Sequence, residues 1–206
     1  MYPEAGVRYD KTGDNHYDTI SAFIKDAGIR SGCAVIPGQN ALCREDIKFI
    51  ARRIMICASE DVGNADPMAL NVAVSAAQAV ERIGMPEAQI ILSQAVTYVA
   101  TAPKSNSATN AIFSAMESVR SKKTTVPSHL QDAHYKGAGK LGHGIGYQYA
   151  HDYPHHYVEQ QYLPDEILGA KFYEPGENGY EKKIGEWMKF LRASNRPLNV
   201  IRLIPE

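Results

Sequence analysis

The sequence has 206 residues, of which 44% are hydrophobic and 22% are charged, and its formal net charge is −1. This length is enough for one sizeable hydrophobic core, and the balanced charge gives no global argument for nucleic acid or an acidic membrane as a partner. Three cysteines without paired spacing argue against a disulfide framework and favour a reducing cytoplasm. No apolar run approaches the roughly 20 residues that span a bilayer, so we expect no membrane partner.

The first elements in chain order are amphipathic helices. Asp14 is a plausible N-cap for a helix that runs through Lys25, with apolar residues at helical spacing. From residue 28 to 44 the periodicity fails, and glycines and a proline indicate a loop or a broken helix. Helical spacing resumes at Asp46, and this second helix is expected to end near Gly63.

The third helix carries clear boundary signals. Asp66 and Pro67 read as an N-cap followed by proline at the first helical position, where its missing N–H group costs nothing. Gly84 is expected to stand just past the end of this helix, where glycine is strongly favoured. These three residues are therefore assigned a structural role as caps.

Two more helices complete a predicted bundle over residues 14–123, which follows an N-terminal linker over residues 1–13. One begins near Met85 and stops before Pro103, and the short connections favour close packing of neighbouring helices. The other is capped by Ser105 or Asn106 and carries an apolar stripe composed of Ala108, Ala111, Ile112, Ala115, Met116 and Val119.

Residues 124–179 differ in composition, because they are rich in glycine, proline and aromatic residues. The stretch 134–157 alone holds five of the seven histidines and five of the twelve tyrosines. We interpret it as a long ordered loop. Residues 180–206 form a last helix and a tail, and one helix face is expected to carry Tyr180, Ile184, Trp187, Met188 and Leu191. The sequence thus predicts an all-α fold in one structural domain.

The glycine-rich string GAGKLG at residues 137–142 departs from both phosphate-binding patterns. Its lysine is followed by leucine rather than Ser or Thr, so it does not match a Walker A motif. No βαβ unit flanks Gly137, Gly139 and Gly142, as a dinucleotide-binding fold would require. We therefore interpret these glycines as loop residues that permit tight turns.

The histidines are candidates for a metal site. His151, His155 and His156 lie close in sequence, but Pro154 argues against the helix that would bring HxxxH imidazoles onto one face. No cysteine or acidic set completes the ligands. We expect these side chains to hydrogen-bond the irregular backbone of the loop instead.

An enzyme active site is a third reading of the same stretch. It would require His134, His143 or His151 to meet Asp132 or Asp152 in a pocket with perturbed pKa values. The sequence shows no catalytic constellation, and we predict no catalytic residue and no metal ligand in this chain.

Several long and unusual strings resemble one known family, the replication-associated recombination protein A family, whose eukaryotic counterpart is the Werner-helicase-interacting ATPase. The resemblance covers about residues 9–190 and lies in the C-terminal half of the family's proteins. The strings that carry it are YDKTGDNHYDTISAFIK (9–25), ASEDVGNADP (58–67), the segment ending in ATAPKSN (77–106), the segment from DAHYKGAGKLGHG to HDYP (132–154), QQYLPDE (160–166) and YEPGENGYEKKI (173–184).

The resemblance implies an AAA+ ATPase related to clamp-loader subunits. ATP and magnesium would bind in an N-terminal module with Walker motifs that this chain lacks. The chain is similar to the collar-like helical region that follows this module and assembles the family's proteins into homotetramers. The parent is implied to be a DNA-dependent ATPase in the nucleoid-associated cytoplasm, where it acts at stalled forks with DNA and single-strand-binding protein.

From the resemblance we expect a homo-oligomerisation region whose partner is a second copy, with no cofactor and no catalysis of its own. Residues 124–179 would wrap the helical bundle. An alternative function is a docking module for DNA or single-strand-binding protein that uses the basic and aromatic segment 120–157. Its contact residues would bind a single strand by charge and base stacking, and the candidates are Lys136, Lys140, Tyr147 and Tyr149.

Residues 28–44 depart from the family pattern. The family normally has an amphipathic helix of the type DPDAALYWLARML here, whereas this chain has a string that contains Pro37 and Gly38. The family pattern returns at Glu45. Natural divergence and a compensated reading-frame slip in the gene both explain the departure.

Overall fold

The computed structural model describes residues 46–132 and 143–194. These residues form five α-helices joined by short helical turns, with no β-strand in this part of the chain, so the all-α prediction is confirmed. The predicted helix 14–25 and the aperiodic stretch 28–44 lie outside the described residues. The chain divides into two compact units, of which the first holds residues up to Thr109 with Gly176–Lys182 and the second holds Asn110–Pro175 with the rest. The domain limits expected from the sequence stay predictions.

Helix α1 spans Ile47–Cys57 and begins where the sequence predicts. The Asp46 side chain accepts a hydrogen bond of 2.8 Å from the backbone N–H group of Lys48, which satisfies one free donor at the helix start. After Cys57 the chain widens into a π-helical turn over Ala58–Val62, and the N–H group of Gly63 bonds the carbonyl of Ala58. Such turns are rare and often lie at functional sites.

Helices α2 (Met68–Ile83) and α3 (Ala88–Thr101) build the core of the first unit together with α1. The face that α2 buries consists mainly of alanines, which let neighbouring helices approach closely. The connection between the two helices contains a cis Met85–Pro86 peptide bond. The buried residues of α2 and α3 are Ala69, Ala73, Ala76, Val80, Ala88, Leu92, Ala95, Val96, Val99 and Ala100.

Helix α4 spans Ser107–Ser121 and buries none of its residues, although its sequence pattern predicts an apolar face. Helix α5 spans Gly179–Ser194, and its one buried residue is the acidic Glu181. At 3.6 residues per turn, the five apolar residues predicted to share one face of α5 do lie on one side of the helix. None of them is buried, and Tyr180 and Trp187 are each 51% exposed.

The long loop of the second unit is ordered through short 3₁₀ turns rather than through strands. Its described residues include turns at Ser128–Leu130, Ala150–Asp152, Pro154–His156 and Asp165–Ile167. Among the described residues of this loop, Val158 and Ile167 are the buried apolar ones. Among the described residues, no helix combines the length and the apolar character that crossing a membrane requires.

Candidate functional site

A buried carboxylate holds the start of α5 in the first unit. Glu181 has no exposed surface, and its Oε2 atom accepts hydrogen bonds from the Ser105 hydroxyl at 2.5 Å, the Ser107 hydroxyl at 3.2 Å and the Gly176 N–H group at 2.8 Å. Hydrogen bonds to a charged acceptor are the stronger ones in proteins. This cluster ties α5 to the turn before α4, and such a tie has a structural rather than a chemical role.

A close backbone approach lies beside this cluster. Gly179 adopts φ +54°, and a Cβ atom there would overlap the carbonyl oxygen of Ala65 and stand 2.8 Å from Cγ of Pro103. Glycine is the residue that fits both the left-handed backbone and the short separation. The first residue of α5 is thereby pressed against the 3₁₀ turn that precedes α2.

The π-helical turn carries a group of ionisable side chains. Burial raises the pKa of the Cys57 thiol to about 11, and the nearby Asp61 carboxylate acts in the same direction. Burial also raises the pKa of Asp61, and Glu60 adds to this effect. A thiol with such a pKa is protonated at neutral pH and is a poor nucleophile. The cluster does not support covalent catalysis by Cys57.

The side chain of Lys104 caps the C-terminal end of α3. Its ammonium group donates hydrogen bonds to the carbonyls of Val99 and Ala100, the latter at 3.3 Å. A cation at this end of a helix interacts favourably with the helix dipole. Burial lowers the pKa of Lys104, whereas the negative charge of Asp61 opposes this shift.

Asp66 joins two helices of the first unit. Its Oδ1 atom accepts a hydrogen bond of 3.1 Å from the Met68 N–H group at the start of α2, and its Oδ2 atom accepts one of 2.9 Å from the hydroxyl of Tyr98 in α3. The hydrogen bond to Asp66 raises the pKa of Tyr98. Pro67 directly precedes α2, and Gly84 follows it with φ +74°.

The histidine-rich stretch forms two ring clusters in the second unit. His151 lies between Tyr149 and His156, with ring centroids 5.0 and 4.8 Å apart. His155 packs edge-on against Phe190 at 5.0 Å, and Phe190 stacks on Trp187 at 5.3 Å. Both His155 and His156 have positive φ angles of 58° and 51°. These rings stay exposed to solvent, and the described residues contain no group of three or more potential metal ligands.

The proposed nucleic-acid contacts are only partly within the described residues. Tyr147 and Tyr149 lie on the surface, with 48% and 55% of their side chains exposed. Lys136, Lys140, Gly137, Gly139, Gly142 and His134 lie outside the described residues.

An apolar groove runs between α2 and α3 in the first unit. It encloses about 340 Å³ and is lined by uncharged residues, most of them small or apolar. The lining residues are Met68, Asn71, Val72, Ser75, Ala76 and Ala79 from α2 with Ile91, Gln94 and Ala95 from α3. The alanine-rich composition of these helices was the sequence signal for close packing, but it did not identify a groove.

Helix α4 presents an uncovered apolar stripe in the second unit. Ile112, Phe113, Met116 and Val119 are between 42% and 64% exposed. At 100° per residue these four side chains occupy an arc of about 120° on one side of the helix. Contiguous exposed apolar surface of this kind marks interaction sites more often than isolated apolar residues do.

Comparisons with known proteins match this chain to the C-terminal region of one AAA+ ATPase family. Residues 42–192 match the family model described as "MgsA AAA+ ATPase C terminal". The chain is 50% identical over 196 residues to an uncharacterised AAA domain-containing protein of Mycobacterium tuberculosis, covering 92% of this chain and 43% of that protein.

Two further relatives carry a functional name. Over 173 residues the chain is 45% identical to the replication-associated recombination protein A of Bacillus subtilis, covering 83% of this chain and 41% of the relative. Over 210 residues it is 37% identical to the protein of the same name in Escherichia coli, covering 97% of this chain and 46% of that relative. The chain thus spans less than half the length of each of these relatives.

Proposed function

Because the chain belongs to the family of MgsA-type AAA+ ATPase C-terminal regions, we propose that it is the self-association region of an ATPase in replication-associated recombination. In this proposal, copies of the chain assemble into a homotetramer. The observation that carries the proposal is the apolar stripe of α4, which remains exposed in the isolated chain. Association with a second copy would remove this stripe from water and would be favoured by the hydrophobic effect.

The proposal extends to the longer protein. ATP and magnesium would bind in a nucleotide-binding module outside this chain, and the ATPase activity would depend on DNA. DNA and single-strand-binding protein would be partners of that protein in the nucleoid-associated cytoplasm. The chain itself would perform no catalysis.

Co-purification of two differently tagged copies tests self-association. When the first tag is captured from cells that express both copies, the copy with the second tag is expected to be recovered with it. The variant Ile112→Asp places a charge in the stripe and should abolish this recovery, because burying an unpaired carboxylate is costly. The matched control Ser114→Asp, on an exposed position of the same helix, should leave it intact. Failure of the wild-type copies to co-purify would overturn the proposal.

A second candidate function is docking of single-stranded nucleic acid. The exposed rings of Tyr147 and Tyr149, and the stacked pair of Trp187 and Phe190, favour it, because bases stack on aromatic side chains in such sites. Trp187 is the one tryptophan in the sequence, so quenching of its fluorescence by an oligonucleotide reports binding directly. Binding should weaken with salt and with the double change Lys136→Glu and Lys140→Glu. No quenching at low salt would exclude this function.

A further inference from the structure

Among the described residues, each copy of the chain carries two apolar surfaces of opposite shape, and no residue that lines the groove is charged. The groove between α2 and α3 is floored by Ala76, Ala79 and Ala95, so its surface is recessed. The α4 stripe projects Ile112, Met116 and other bulky side chains. Helices pack when the ridge of one enters the groove of another. Because one polypeptide carries both a ridge and a groove, the ridge of one copy can pack into the groove of another copy.

We propose that the α4 stripe of one copy docks into the α2–α3 groove of the next copy, head to tail. The two surfaces matter only if copies associate, so this inference rests on the proposed self-association. Each copy would offer one helix and accept one helix. Contacts of this heterologous kind close into a ring when the rotation between copies is suitable. A two-fold pairing of identical stripes is the alternative geometry, and it would be broken by a charge in the stripe but not by a change in the groove.

The dimensions of the two surfaces agree. The stripe from Ile112 to Val119 extends about 10 Å along the α4 axis, and the groove from Met68 to Ala79 extends about 16 Å along α2, at 1.5 Å per residue. The groove therefore has room for the full length of the stripe. Its alanines leave space for a second helix axis to approach closely.

The chemistry of the groove favours this occupant over other classes. None of its nine lining residues carries a charge. Nucleic acid needs cationic side chains for its phosphates, and an acidic or basic peptide would be left without a counter-charge. An apolar helix face buries no ion in such a groove and loses no charge–water contacts. The polar side chains of Asn71, Ser75 and Gln94 are neutral and suit the margin of such a contact.

Two variants test the groove and the stripe independently. Ser75 is exposed and lines the groove, so Ser75→Trp fills the groove without disturbing the core. Ile112→Asp charges the stripe. Leu70→Trp and Ser114→Asp are the matched controls, since both positions are exposed and neither belongs to the proposed contact. The expected result is that each test variant alone has the monomer mass of 22.7 kDa and that each control keeps the wild-type mass.

Mixing the two test variants decides the geometry. In a head-to-tail contact the intact stripe of the Ser75→Trp chain still fits the intact groove of the Ile112→Asp chain, so the mixture should form a one-to-one dimer in sedimentation velocity. A mixture that stays monomeric would overturn the head-to-tail contact. A Ser75→Trp chain that keeps the wild-type mass while Ile112→Asp is monomeric would overturn it in favour of stripe-to-stripe pairing. The proposal is also overturned if both variants keep the wild-type mass, which leaves the proposed self-association standing.

If the groove is filled by a helix of the same chain, the experiment gives a third result. The predicted helix 14–25 also carries bulky apolar residues, so it is an alternative occupant of the groove. If it fills the groove, Ser75→Trp should lower the free energy of unfolding without changing the oligomeric mass, and the proposal fails. A wild-type chain that is monomeric would remove both this inference and the proposed self-association.

Discussion

Glu181 and Ser105 are 76 positions apart in the sequence, and the Oε2 atom of Glu181 lies 2.5 Å from the Ser105 hydroxyl oxygen. Because Glu181 has no exposed surface, its charge depends on these donors for solvation. Removing the acceptor would leave the Ser105 and Ser107 hydroxyls and the Gly176 N–H group to find other partners.

Glu181→Ala is therefore expected to lower the free energy of unfolding by about 3 kcal/mol, since buried hydrogen bonds to a charged group are lost. Glu181→Gln keeps an acceptor oxygen and should cost less, about 1 kcal/mol. Chemical denaturation measures both. Glu186→Ala, at an exposed position of α5, should change stability by no more than about 0.5 kcal/mol. Equal effects of the changes at 181 and 186 would contradict the assignment.

The energetic cost of the close approach at Gly179 can be measured separately from the cost of its positive φ angle. Gly179 and Gly84 have φ angles of +54° and +74°, but a Cβ atom at Gly84 would meet nothing within 4 Å. Gly84→Ala should thus cost about 2 kcal/mol from the backbone conformation alone, since φ +74° with ψ −174° lies in a region that is essentially restricted to glycine. Gly179→Ala should cost about 3 kcal/mol, because its Cβ atom also overlaps Ala65. Thermal or urea unfolding that gives the same cost for both would argue against the contact.

The hydrogen bond between Tyr98 and Asp66 should be visible in the pH dependence of stability. The bond raises the pKa of Tyr98 above its ordinary value of 10.0. The bonded form is the protonated one, so its contribution is complete below pH 10.0 and is lost as pH rises through the folded-state pKa. Wild type should be more stable than Tyr98→Phe below this range, and the gap should close above it. A gap that is independent of pH would contradict the bond.

Cys57 should resist alkylation in the folded chain. Its ordinary pKa of 9.0 is raised to about 11, and a rise of two units lowers the thiolate fraction about a hundredfold at neutral pH. Treatment with iodoacetamide, followed by peptide mapping, should show modification of Cys57 after denaturation and almost none before it. Rapid labelling of Cys57 in the native chain would contradict its burial.

Local features of the fold were readable from the sequence. Helical spacing resumes at Asp46 in the sequence, and in the structure α1 begins at the next residue, with the Asp46 side chain bonded to the Lys48 N–H group. The signals around Asp66 and Gly84 are of the same kind, because a helix end is decided by residues that are neighbours in the chain. The all-α class follows from several such helices in succession.

Long-range relationships were not readable in the same way. Nothing in the spacing of Ser105, Ser107 and Glu181 indicates that they meet, because their contact depends on tertiary packing. On α5 the spacing identifies the apolar side of the helix but not its burial, since Glu181 is the one residue that this helix buries. On α4 the pattern identified an apolar face correctly but did not indicate whether the rest of the same chain covers it.

The central claim is that this chain associates with copies of itself. Light scattering coupled to gel filtration measures the mass of the purified 206-residue chain, and the result does not depend on the shape of the particle. A tetramer of the 22.7 kDa chain, dispersed by Ile112→Asp, is the expected result. A wild-type chain that keeps the monomer mass at every concentration would contradict the claim.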